Sequence, residues 1–163
     1  MSGNIFTTSY LIANLLSIFM LVTAIRWPNV ARILFSAIFL LAGIYNIQTA
    51  IRTPESYLYF GNTAVFRIYE DFIYGAFRNS ITVIVVSIGI VQLLTAAAIC
   101  GRTELMKAGL VTAMLFLLAI APLGAGSAFP STLILAFAAF ILFLKAKFLG
   151  VHSIFHAPRH PLN

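Results

Sequence analysis

The chain has 163 residues, of which 61% are hydrophobic and only 9% charged. A soluble domain carries about 25% charged residues, and ten Lys/Arg with four Asp/Glu cannot wet a globule of this size. A soluble enzyme, a nucleic-acid binder and a disordered protein are therefore excluded, and most of the solvent around this chain must be lipid. The net charge of +6 fits basic residues gathered in cytoplasmic loops; no basic patch with interleaved aromatics lies outside the apolar runs, so nucleic acid is not an expected partner.

Five apolar runs approach the length of about 20 residues that a membrane helix needs: residues 8–25, 33–51, 81–100, 105–123 and 131–149. The first has no Lys or Arg before it, unlike a cleaved signal peptide, and reads as a retained span. It ends at Arg26-Trp27-Pro28, a tight connection to the second. Between the second and third runs lies the one long loop, residues 52–80, with Tyr57, Tyr59, Phe60, Phe66, Tyr69, Phe72, Tyr74 and Phe77. Such a density of rings suits the membrane–water interface. Apolar residues at Phe66, Tyr69, Ile73 and Phe77 predict a short interfacial helix over Thr63–Phe77,. Arg67 precedes Glu70 and Asp71 by three and four residues, within ion-pairing reach on a helix. The segment from Pro122 to Pro130 is an uncharged Gly/Pro hairpin, which makes the last two runs antiparallel neighbours,. The tail, residues 150–163, is polar.

With five spans, one side of the membrane holds Arg52, Arg67 and Arg78, and the other holds Arg26, Arg32, Arg102, Lys107, Lys145, Lys147 and Arg159. Seven against three predicts an outer N-terminus and a cytoplasmic C-terminus. The predicted fold is an all-α antiparallel transmembrane bundle, integral to a bacterial or archaeal plasma membrane. Its outer loop carries the interfacial helix.

Few residues offer chemistry. A single cysteine, Cys100, excludes an intramolecular disulfide or a CxxC pair,. His152, His156 and His160 lie in the tail, where Pro158 breaks their helical spacing; no metal site is expected. No charge lies mid-span, which argues against a proton pump or voltage sensor. Phosphate-loop, HExxH and GxSxG patterns are absent,, so no catalytic residue is assigned. Among the polar residues within the spans, Asn46 and Gln92 are the bulkiest amides; they differ in depth, which leaves their contact open. The best candidate for a ligand site is the outer mouth, where Tyr45, Asn46 and Gln48 end the second run and Arg67, Glu70 and Asp71 sit in the loop. There Glu70 or Asp71 is either the solvated, Arg67-paired face of a helix or a shielded carboxylate able to bind a cation or move a proton.

Two stretches carry a family resemblance. Arg32-Ile-Leu-Phe-Ser-Ala-Ile-Phe-Leu-Leu-Ala-Gly-Ile-Tyr-Asn46 resembles the opening helix of DoxX-like membrane proteins, and Ala108 through Leu135 resembles their last hairpin. The likeness spans residues 30–149, with Ser36 where the family often has Gly. It implies a four-helix core with both ends cytoplasmic, to which the first run is an extra N-terminal span. Three roles remain: an accessory subunit binding a partner protein, lipid or quinone, since no catalytic constellation is visible; a quinone-linked oxidoreductase subunit, which the resemblance implies; or a small-molecule or lipid handler using the outer mouth near Glu70. Quinone rests on the resemblance alone. Membrane lipid, another membrane protein or a second copy of the chain are the expected partners.

Overall fold

The structure, a computed structural model, describes residues 8–149, and the tail histidines lie outside them. The described chain is all-α: α1 (Thr8–Arg26), α2 (Pro28–Arg52), α3 (Tyr59–Thr63), α4 (Arg67–Phe72), α5 (Ile81–Cys100), α6 (Thr103–Ile120) and α7 (Ser131–Lys145). Four helical segments are long and apolar enough to cross a membrane: α1, α2, the continuous stretch Arg67–Cys100 that ends in α5, and Thr103–Ser127, which begins with α6. The fifth, α7, has 15 residues, about 22 Å of helix, and is followed by a 3₁₀ turn over Ala146–Phe148. It is thus shorter than the apolar run of residues 131–149.

The ends of the elements follow local chemistry. Helix α2 starts at Pro28, five residues before the apolar run, because proline at the first helical position needs no N–H partner and has a helical φ,. The predicted loop helix over Thr63–Phe77 is instead broken: α3 stops at Thr63, Ala64 and Phe66 are extended, and α4 is followed by a π-helical turn over Ile73–Phe77. The break is stapled to the α6–α7 hairpin. Val65 N–H donates to the Pro122 carbonyl (2.8 Å) and Thr63 Oγ1 to that of Leu123 (2.9 Å). The first uses a backbone N–H that a continuous helix would have consumed itself; the second is donated by the Thr63 side-chain hydroxyl.

Each long helix packs on two neighbours, in the order α2, α5, α6, α7, α1 and back to α2. Along α2 and α5 the antiparallel register is marked by Ser36 Oγ donating to Ala96 O (2.8 Å) and Thr82 Oγ1 to Ala50 O (3.1 Å). Between these marks the two backbones cross closely at Gly43 and Gly89, where a Cβ on Gly43 would stand 2.9 Å from the Gly89 carbonyl oxygen. Small residues permit such approach, which is the main source of attraction between helices in lipid.

Two buried apolar clusters fill the bundle. The larger, toward the short connections, includes Phe35, Ile99, Met106, Leu110 and Leu142, and takes Met20 and Ala24 from α1. The smaller, toward the long loop, comprises Ala50, Ile73, Phe77, Ile81 and Val85. The outer faces remain apolar: Leu15, Leu41, Val83, Leu94, Leu115 and Leu144 are all exposed, as a lipid-facing surface requires and a water-facing one does not.

Cations tie the short-connection end. Arg32 is fully buried and donates to three carbonyls, those of Ile99 (2.7 Å), Leu149 (2.8 Å) and Gly101 (2.5 Å). Lys145 Nζ donates to the Ile25 carbonyl (2.6 Å) and that of Ala24 (3.2 Å). Both satisfy carbonyls that a helix C-terminus leaves without intrahelical partners, so two of the basic residues that bias the charge count also hold the bundle together.

Candidate functional site

Between the two clusters the bundle does not close. A chamber of about 590 Å³ occupies the half nearer the long loop, within the usual range of small-molecule sites. Its walls are Ile38, Phe39 and Ala42 of α2, Ile84, Val85 and Ile88 of α5, Phe116 and Leu117 of α6, and Leu135 of α7. The loop supplies its roof through Phe60, Tyr69, Phe72, Ile73 and Phe77, joined by Leu123 and Gly126 of the hairpin. From α1 only Ala13 reaches it. The edge-to-face rings of Phe39 and Phe116, 6.0 Å apart, brace opposite walls.

Every side chain lining the chamber is uncharged. Its polar groups are few and ordered. Tyr57, in the 3₁₀ turn Pro54–Leu58, donates its hydroxyl to Asn46 Oδ1 (2.9 Å), and Asn46 Nδ2 donates to Gln92 Oε1 (2.7 Å). Asn46 and Gln92 thus meet despite their different depths, across the close crossing at Gly43 and Gly89. Burial pushes the Tyr57 phenol above its ordinary range, which keeps it a neutral donor. On the opposite wall Thr132, in the first turn of α7, is 3% exposed, and its hydroxyl is the one buried side-chain N or O without a hydrogen-bond partner among the described residues.

Of the six residues assigned to the outer mouth, only Asn46 lines this chamber, joined by Gln92 and the loop rings Tyr57, Phe60, Tyr69, Phe72 and Phe77. Tyr45 and Gln48 face outward at the end of α2, and Arg67, Glu70 and Asp71 are all exposed. Tyr69 and Phe72, on the same short helix α4, line the chamber instead, with Phe72 half-exposed. The expected pairing of Arg67 with Glu70 or Asp71 is not formed: the one ion pair among the described residues is Lys107–Glu104, at 2.8 Å. Arg67 is the first residue of a six-residue helix, and an exposed cation there keeps its hydration rather than losing side-chain freedom to a weak surface pair. Among the described residues no three His, Cys, Asp or Glu side chains come together.

Sequence reading missed Thr132 and the role of Tyr57. Nothing in a lone threonine at a helix start signals an orphaned hydroxyl, but Tyr57 lies eleven residues after Asn46 across a Pro54 turn, a spacing that folds a ring back over the end of α2.

No family model, curated protein or solved structure matches the chain. Its function is therefore argued from its own geometry.

Proposed function

We propose that this protein is an integral membrane protein that holds a small lipophile, a lipid or a quinone, in the chamber, and serves as an accessory or subunit of a membrane assembly. The observation that carries the reading is the chamber itself: about 590 Å³ of aromatic and aliphatic wall with a few hydrogen-bonding groups, the usual composition of a ligand site. In lipid a void that size has no hydrophobic incentive to stay empty, since acyl chains are as apolar as its walls. The polar groups lining the chamber bind and orient; none is an acid or base placed for proton transfer at neutral pH. The proposed DoxX-like plan makes α2, α5, α6 and α7 the core and α1 an added helix; α1 gives the chamber only Ala13, yet it packs between α7 and α2 and buries Met20 and Ala24 in the larger cluster.

The test is extraction. Protein purified in mild detergent should retain a near-stoichiometric lipophile, identified by mass spectrometry after solvent extraction. Ile88→Trp, which fills the chamber from α5, should reduce that content at least tenfold without loss of helix content. Equal retention by the filled variant would sink the reading.

The proposed orientation has the N-terminus outside and the C-terminus in the cytoplasm, resting on the seven-to-three distribution of Lys and Arg,. Cys100, exposed at the C-terminal end of α5, then faces the cytoplasm. A membrane-impermeant thiol reagent should label it only after permeabilisation; prompt labelling of intact cells would reverse the topology.

A further inference from the structure

The donors left over in the chamber specify what its ligand must offer. The hydrogen bonds run one way, from Tyr57 to Asn46 to Gln92, and end on Gln92 Oε1. Gln92 lines the cavity and is 3% exposed; with its Oε1 engaged by Asn46, its Nε2 is the terminal group of the relay. Across the chamber the buried Thr132 hydroxyl has no partner. A buried donor without an acceptor is costly, so the orphaned Thr132 hydroxyl is a cost that a ligand's acceptor removes, and the Gln92 amide that ends the relay lines the same cavity. The walls hold no Arg or Lys to neutralise an anion and no Asp or Glu to neutralise a cation, and burying an unpaired charge is prohibitive.

We infer that the chamber selects an uncharged lipophile bearing an acceptor oxygen, with a carbonyl as the simplest case, and that Gln92 and Thr132 are its specificity-determining residues. This rests on the chamber reading above and narrows it. A carbonyl oxygen has two lone pairs and no proton, and so matches donor-only Gln92 Nε2 and a free Thr hydroxyl. An ionised fatty acid, a lipid phosphate or an amphipathic amine does not match. The relay from Tyr57 holds the Gln92 amide in the orientation that presents its N–H groups.

The test uses three probes of one chain length on the purified full-length protein, stripped of bound lipid and held in detergent at pH 9: tetradecane, 2-tetradecanone and tetradecanoate. At this pH the fatty acid is a carboxylate and Tyr57 remains protonated. Binding is read by equilibrium dialysis against matched detergent. The ketone is expected to bind at least tenfold tighter than either the alkane or the carboxylate. Thr132→Val and Gln92→Met, which keep volume, should bring the ketone down to the level at which the same variant binds the alkane. If alkane and ketone bind wild type equally, or the carboxylate binds best, the inference is overturned although the chamber reading stands. If none of the three binds, the chamber reading falls with it. The wild-type comparison decides even if a variant fails to fold.

Discussion

Replacing Arg32 with methionine is expected to lower stability by about 3–5 kcal/mol, because up to three buried carbonyls lose their donor at about 1–3 kcal/mol each. The guanidinium is 1% exposed and reaches Ile99, Gly101 and Leu149 at once. These carbonyls belong to the end of α5 and to the segment just after α7, so one side chain from α2 joins three parts of the bundle. Helix C-termini carry partial negative charge, which offsets the placement of a cation near the N-terminus of its own helix. Arg32→Lys should recover less than half of the loss, since one ammonium cannot reproduce the planar fork. Denaturation in mixed detergent, followed by circular dichroism, reads both. A methionine variant as stable as wild type would show that the three contacts contribute nothing.

The legibility of this molecule in its sequence divides along the range of the interactions. Apolar length and turn chemistry are local: Pro28, Pro122 and Pro130 mark where helices begin and end, and the five runs correspond to α1, α2, α5, α6 and α7 with shifts at their termini. Contacts between helices are not local. Asn46 and Gln92 are separated by 46 residues, and only the Gly43–Gly89 crossing brings them together. Arg32 illustrates a different failure. A basic residue at the end of a span is adequately explained by the charge rule, so its burial gives no further sign in composition. One sign was available: a cation in the second turn of α2 opposes the dipole of that helix, so a buried acceptor had to be sought elsewhere. The acidic loop is a case in which spacing did not give the pairing. Arg67, Glu70 and Asp71 have helical pairing spacing, yet α4 lasts only six residues and turns Tyr69 and Phe72 rather than its charges toward the chamber. A rule based on spacing ranks charges above rings, whereas burial in lipid-adjacent structure favours rings.

The hairpin that roofs the chamber should be the most sensitive point for ligand binding. Gly124 has φ +67° and ψ −133°, a conformation open to glycine and strained for other residues,. A Cβ there would also lie 2.3 Å from the Thr63 carbonyl oxygen, which is backbone and cannot swing away. Gly124→Ala is therefore expected to cost about 2–4 kcal/mol, of which backbone strain accounts for about 1–3. The clash must separate the hairpin from α3, breaking the bonds of Val65 to Pro122 and Thr63 to Leu123. Those bonds hold Phe60, Leu123 and Gly126 over the chamber. Lipophile retention should then fall at least tenfold while helix content, which resides in the long spans, changes little. Gly75→Ala is the comparison in the same roof: its backbone is non-helical, with φ −95° and ψ −107°, but nothing lies within 4 Å of a Cβ placed on it, so its effect should be smaller than that of Gly124→Ala, where a steric clash adds to the backbone cost. If both alanine variants retain lipophile as wild type does, the hairpin does not close the chamber; if both lose it equally, the roof is sensitive to any change and the Gly124–Thr63 contact has no special part in it.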